Sequence, residues 1–144
     1  MTTAGSQRTA LLVDDEEPLL RLMSRVLEKA GVRCLAAADA DQARALFAEH
    51  AGDLDFLFLD VTLPGGDGAA ELMPEFVEQR PTVRVVVTSG DEPPNELAEA
   101  MRKIGGQFLR KPFAPPQLLR LVEASASEVR SRSRSETAPT QGPS

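Results

Sequence analysis

Residues 54–68 read Leu54-Asp55-Phe56-Leu57-Phe58-Leu59-Asp60-Val61-Thr62-Leu63-Pro64-Gly65-Gly66-Asp67-Gly68. The run up to Leu59 is nearly continuously apolar rather than alternating. That pattern belongs to a strand buried on both faces, in a parallel sheet covered above and below by helices. Such sheets present ligand sites beyond the carboxyl ends of their strands, which puts Asp60 at a mouth of the sheet. Two other apolar runs also end in charge. Ala10-Leu11-Leu12-Val13 leads into Asp14-Asp15, and Gln107-Phe108-Leu109-Arg110 leads into Lys111-Pro112-Phe113.

Short β-type runs at 10–13, 32–37, 54–59, 83–88 and 107–110 alternate with helical ones. This predicts an α/β fold, a doubly wound five-stranded parallel sheet between two helical layers. The first helical stripe is Leu19, Leu22, Met23, Val26, Leu27 and Ala30, with Pro18 suited to an early position and Gly31 to the stop. Ala43, Leu46 and Phe47 mark the second. Ala69, Leu72, Met73, Phe76 and Val77 mark the third, which Pro74 is expected to kink or break. Leu97, Met101 and Ile104 mark the fourth, and Leu118, Leu119, Val122, Ala126 and Val129 the fifth. These stripes read as core.

The 144 residues suit one ordinary domain, and the formal charge of −6 argues against a general nucleic-acid binder, so no direct DNA binding is expected. Cys34, the single cysteine, excludes an internal disulfide and a cysteine metal cage and reads as an inert strand residue. With no apolar run of membrane-spanning length and no apolar leader, the expected location is the cytoplasm. Residues 1–8 are expected to be a flexible N-terminus, 9–130 the folded unit and 131–144 a disordered tail without large apolar anchors.

With strand order 2-1-3-4-5 and right-handed crossovers, the first and third strands are neighbours whose following helices lie on opposite faces. The crevice between them falls at Asp14, Asp15 and Asp60. Three converging carboxylates repel one another unless a cation sits among them, and a hard divalent ion such as magnesium fits oxygen ligands of this kind. Asp60 then serves as an in-line nucleophile that forms an acyl phosphate, while the ion and Lys111 neutralise developing charge and Ser89 hydrogen-bonds a phosphoryl oxygen. Each piece alone has a plainer reading. Asp14-Asp15-Glu16 could cap a helix, Asp67-Gly68 could be a turn, Ser89-Gly90-Asp91 a loop entry, and Lys111 a solvated side chain.

Taken in order, Val13-Asp14-Asp15-Glu16, Asp60 with Pro64 and Gly68, Val87-Thr88-Ser89-Gly90 and Lys111-Pro112-Phe113 resemble the receiver domain of bacterial two-component response regulators. The resemblance spans about 9–129. It implies a flavodoxin-like three-layer sandwich, phosphorylation of Asp60 by a histidine kinase or phosphotransfer protein, and Mg2+ bound directly by Asp15, with Asp14 acting largely through water. The backbone carbonyl of Thr62 would complete the protein ligands with Asp60. Ser89 and Phe108 would be the switch pair acting on the face of the fourth helix, fifth strand and fifth helix. Leu63 replaces the more usual methionine, and Phe108 stands where tyrosine is common, which removes a phenol hydrogen bond to a partner. Ser89 rather than Thr88 is assigned the switch hydroxyl, because Gly90 fits the small residue that follows it and its distance to Lys111 matches. The Lys111-Pro112 peptide is expected to be cis.

The resulting expectation is a single-domain response regulator that signals through phosphorylation-dependent contacts with a downstream protein effector, without membrane binding, as a monomer or a weak phosphorylation-dependent dimer. It would be a switch rather than an enzyme, catalysing only its own phosphotransfer and autodephosphorylation. An aspartyl-phosphate phosphohydrolase would want a second aspartate where Thr62 stands. A nucleotide-binding module would want a Gly-rich loop after the first strand.

Overall fold

The computed structural model describes residues 7–63 and 67–123. The elements run β1 (Arg8–Val13), α1 (Glu17–Lys29), β2 (Val32–Ala37), α2 (Ala40–His50), β3 (Phe56–Asp60), α3 (Ala69–Gln79), β4 (Arg84–Ser89), α4 (Asn95–Ile104) and β5 (Gln107–Arg110). A fifth helix, α5, occupies residues 115–123. All strands are parallel, in the order β2-β1-β3-β4-β5.

Alternation along each strand sorts the core into two layers. Leu11, Val13, Leu57, Leu59, Val85 and Val87 pack with Ala43, Phe47, Leu72, Phe76, Leu97 and Met101 of α2, α3 and α4. Ala10, Leu12, Phe56, Phe58, Val86 and Leu109 pack with Leu20, Met23 and Leu27 of α1 and with Leu118 and Val122 of α5. Burying each of the larger side chains among these contributes about 1.5–3 kcal/mol, which is why strands apolar on both sides dictate helices on both sides. The rings of Phe47 and Phe76 stack at 4.2 Å and tie α2 to α3.

Several boundaries differ from the periodicity. β1 begins at Arg8, inside the segment expected to be flexible, because the Arg8 guanidinium donates to the Val122 carbonyl at 3.0 Å and lies over the Phe56 ring. The third strand starts two residues late. Leu54 instead closes a 3-10 turn over Ala51–Asp53, its N–H donating to the Ala51 carbonyl. The other strand bounds differ by a residue, or not at all. Pro74 does not break α3, which runs continuously from Ala69 to Gln79. Leu72, Met73 and Phe76, all buried around it, hold that helix against the sheet. Ala126, Val129, Pro64 and the proposed tail lie outside the described residues.

Candidate phosphoryl-acceptor site

The sheet's hydrogen-bond ladder continues one residue past three strand ends. Asp14 N donates to the Ala37 carbonyl, Val61 N to that of Thr88 and Lys111 N to that of Ser89, at 3.0, 3.0 and 2.8 Å. The backbone at each of these strand ends is thereby fixed. Strand alternation gives Asp14, Asp60 and Lys111 the parity of the layer covered by α1 and α5, whereas Ser89 and Phe108 have the parity of the layer covered by α4.

Asp14 and Asp60 are 2% and 6% exposed, which for carboxylates demands partners. The Lys111 ammonium supplies them, 2.8 Å from Asp14 Oδ2 and 3.2 Å from Asp60 Oδ2. Its third contact, 3.1 Å, is with the half-exposed Glu16 carboxylate. Asp14 Oδ1 accepts from Glu16 N at 2.9 Å, and Asp60 Oδ1 from Thr62 N at 3.3 Å. Asp15 is exposed at the rim, yet Asp14, Asp15 and Asp60 each place an oxygen within 4.8 Å of the others.

Burial, and then the charge of Asp14, pushes the Asp60 carboxyl above the usual carboxylate range. Lys111 and the Thr62 N–H oppose this without reversing it. Burial by itself would lower the Lys111 ammonium. The hydrogen bond and charge of Asp14, followed by Asp60 and Glu16, outweigh it and hold the group firmly protonated. A trio of hard oxygen donors carrying this unrelieved repulsion suits a divalent oxygen-liganded cation.

Ser89, Thr62 and Asp15 line the same open cleft as Asp60 and Lys111, with Leu19, Leu22 and Phe113 at its apolar margin. Ser89 Oγ accepts from Asp91 N at 3.1 Å. Thr88, by contrast, is buried and within 3.5 Å of the Leu59 carbonyl, so of the two neighbouring hydroxyls it is Ser89 that faces the cleft. Phe108 is partly buried against the layer of Val87 and Leu97. The Lys111-Pro112 peptide is cis.

Three contacts were not legible in the sequence. Glu16 looked like part of a helix cap, but it makes no side-chain cap bond and turns to Lys111. Gly68 carries more than a turn. A Cβ there would lie 2.1 Å from the Val61 carbonyl oxygen, so the chain returns against the peptide that joins Val61 to Thr62. Arg44 of α2 reaches both Asp67 and Glu75. Cys34 is half-buried, and burial followed by the Glu28 charge pushes its thiol up to about 12, in keeping with an inert residue. Among the described residues no helix is long and apolar enough to cross a membrane.

Residues 10–123 match the model of the response regulator receiver domain. The chain is 36% identical over 129 residues to the alginate biosynthesis transcriptional regulatory protein AlgB of Pseudomonas aeruginosa, an alignment that covers 90% of this chain and 28% of AlgB. It therefore spans little more than a quarter of that relative. A CheY-like response regulator receiver domain protein from Methanospirillum hungatei superposes with a TM-score of 0.77 at 23% identity, over 88% of this chain and 99% of the other. A Burkholderia pseudomallei response regulator, solved with a phosphorylated aspartic acid, calcium ion and citrate, superposes with a TM-score of 0.67 at 26% identity, over 91% and 75% of the two chains.

Proposed function

The chain belongs to the response regulator receiver domain family, and on that premise we propose that Asp60 accepts a phosphoryl group from a phosphohistidine of a kinase or phosphotransfer protein. The observation that carries the reading is one ammonium, Lys111, held 3.2 Å from a buried carboxylate that shares its crevice with Asp14 and Asp15. An Asp60 carboxylate oxygen attacks phosphorus, the phosphorus–nitrogen bond breaks, and the imidazole leaves with its electron pair. The product is an acyl phosphate. Lys111 exchanges Asp60 for a phosphoryl oxygen, already positioned by its backbone bond to Ser89. The Ser89 hydroxyl, in the same cleft, donates to another.

Asp14, Asp15, Asp60 and the Thr62 carbonyl would hold Mg2+, which when bound supplies positive charge beside the phosphoryl oxygens. The donor set and the Asp60–Asp14 repulsion support this assignment. The phosphorylated aspartate of the Burkholderia relative supports the acceptor role by analogy. Catalysis extends only to the protein's own phosphorylation and dephosphorylation.

Output follows from Ser89 and Phe108, which share a sheet layer one pleat apart across the β4–β5 pairing Val87↔Phe108. Drawing the hydroxyl toward the phosphoryl group frees space for the half-buried ring to move inward. That reshapes the surface of α4, β5 and α5 for a downstream protein effector. The unit doing this begins with β1 at Arg8, acts in the cytoplasm as a monomer or weak phosphorylation-dependent dimer, and does not itself bind DNA or membrane.

Incubation with acetyl phosphate, read by intact mass, tests the reading. One phosphoryl group should add to the wild type with Mg2+, and none to Asp60→Asn or in the presence of chelator. Equal labelling of Asp60→Asn refutes it.

A further inference from the structure

The segments on either side of residues 64–66 are held together, and partly from a distance. The near one is held by Val61 N on the Thr88 carbonyl and by Thr62 N on Asp60 Oδ1. The far one packs on it at Gly68, where an added Cβ would lie 2.1 Å from the Val61 carbonyl oxygen and 3.5 Å from that of Asp60. Gly68 N donates to Glu71 Oε1 at 2.8 Å, which caps α3. Asp67 is fixed from α2, where Arg44 Nη2 lies 3.1 Å from Asp67 Oδ2 while its Nε donates to both Glu75 carboxylate oxygens at 3.1 and 3.0 Å.

A guanidinium suits this task because its planar fork can grip two carboxylates at fixed angles, which the single ammonium of lysine cannot do. As a mere staple between α2 and α3 the pair adds little, since the stacked Phe47 and Phe76 rings already join those helices and the ion pairs are over a third exposed. What Arg44 adds is the link to Asp67. The Val61 carbonyl that Gly68 packs against belongs to the peptide leading into Thr62, and Val61 itself stands between Asp60 and Thr62, both expected ligands.

We propose that Arg44 is a positioning residue of the phosphoryl-acceptor site. Through Asp67, and through Gly68 packed on the Val61 carbonyl, it holds the Val61–Thr62 segment so that the Thr62 carbonyl and Asp60 are prearranged for a divalent cation. The inference rests on the magnesium reading above and deepens it.

The test is a Mg2+ titration of the full-length 15N-labelled chain, followed through the amide shifts of residues 13–16 and 60–63, with amide hydrogen exchange at Val61 and Thr62 measured without metal. Arg44→Ala and Asp67→Asn should each weaken Mg2+ binding about tenfold, the low end of what losing a ligand-orienting partner costs. The double variant should be no worse than either single one. Exchange at Thr62 should quicken, and Arg44→Lys should recover part of the affinity. Glu75→Gln, which breaks only the helix–helix arm, should bind Mg2+ almost as the wild type does.

Wild-type affinity in both Arg44→Ala and Asp67→Asn overturns the proposal, as does an equal loss in Glu75→Gln, which would mean that the cluster only staples the helices. If Arg44→Ala fails to fold, Asp67→Asn and Arg44→Lys carry the same comparison. Absence of Mg2+ binding by the wild type itself, or binding unchanged in Asp60→Asn, defeats the underlying site assignment and the clamp with it.

Discussion

Replacing Lys111 by Met should destabilise the metal-free protein more than an exposed lysine ever could. The ammonium lies 2.8 Å from Asp14 and 3.2 Å from Asp60, side chains that are only 3% and 8% exposed. At an effective dielectric of about 20 these contacts represent about 6 and about 5 kcal/mol of gross attraction. Desolvation of the three charges offsets most of it, and the Glu16 contact, half in solvent, adds little. Removing one partner of a buried pair nevertheless leaves two close carboxylates uncompensated, so the net loss should be about 3 kcal/mol. At about 4 °C per kcal/mol for a domain of this size, the melting temperature should fall by about 12 °C.

The pH dependence has a definite sign. The Asp60 pKa is already raised in the folded state, and Lys111 is the largest influence lowering it, so the substitution raises it further. A carboxyl with a raised folded pKa destabilises the protein when ionised. The deficit is absent below the unfolded value of about 3.9 and complete once the pH exceeds the folded pKa. Variant and wild type should therefore differ most near neutrality and converge or cross toward about pH 4. Mg2+ should narrow the neutral gap, because it binds the folded variant, whose carboxylates lack the competing Lys111 charge, more tightly than the folded wild type. With neither tryptophan nor tyrosine in the chain, far-UV circular dichroism in urea is the suitable probe. Equal midpoints at pH 7 in chelator, or a gap that widens on acidification, would refute the argument that Lys111 neutralises this crevice.

Gly68→Ala should be costly for a reason of space rather than backbone angle. Its Cβ would meet the Val61 carbonyl oxygen at 2.1 Å, so the loop must move by about 1 Å, at a cost of about 2–3 kcal/mol in urea unfolding. Mg2+ binding, read by amide shifts, should weaken in parallel, and a wild-type unfolding midpoint would show that the loop does not pack on that peptide. Ser89→Ala and Thr88→Val separate the two neighbouring hydroxyls. The first should keep Mg2+ affinity within a few-fold but diminish the amide-shift response of residues 95–110 to beryllofluoride, whereas the second should alter that response little. The reverse ranking would assign the switch hydroxyl to Thr88.

The local pattern was enough to specify the sheet. The doubly apolar runs of β1, β3 and β4 require two covering layers, and right-handed crossovers then bring Asp14 and Asp60 to one crevice whatever the details of packing. The strand-end position of Lys111 also follows from period and spacing, because a residue's face along a strand is decided by counting in twos, whereas the choice of Ser89 over Thr88 came from the family resemblance, from the small Gly90 after it and its distance to Lys111. Boundaries were less legible where the deciding contact was remote, as with Arg8, drawn into β1 by Val122 and Phe56. The same reason hid the second tier of the site. Glu16 meets Lys111 across 95 residues of chain, Arg44 meets Glu75 across 31, and Gly68 is obliged to be glycine only because the Val61 carbonyl occupies the place of a side chain. A side chain's chemical type is written in its own letter, whereas its partner depends on which helices the packed core brings side by side. The tertiary structure therefore decided how the Asp60 carboxylate is neutralised and what packs on the peptide after Val61, while the sequence alone determined that such a carboxylate would stand at the carboxyl end of the sheet.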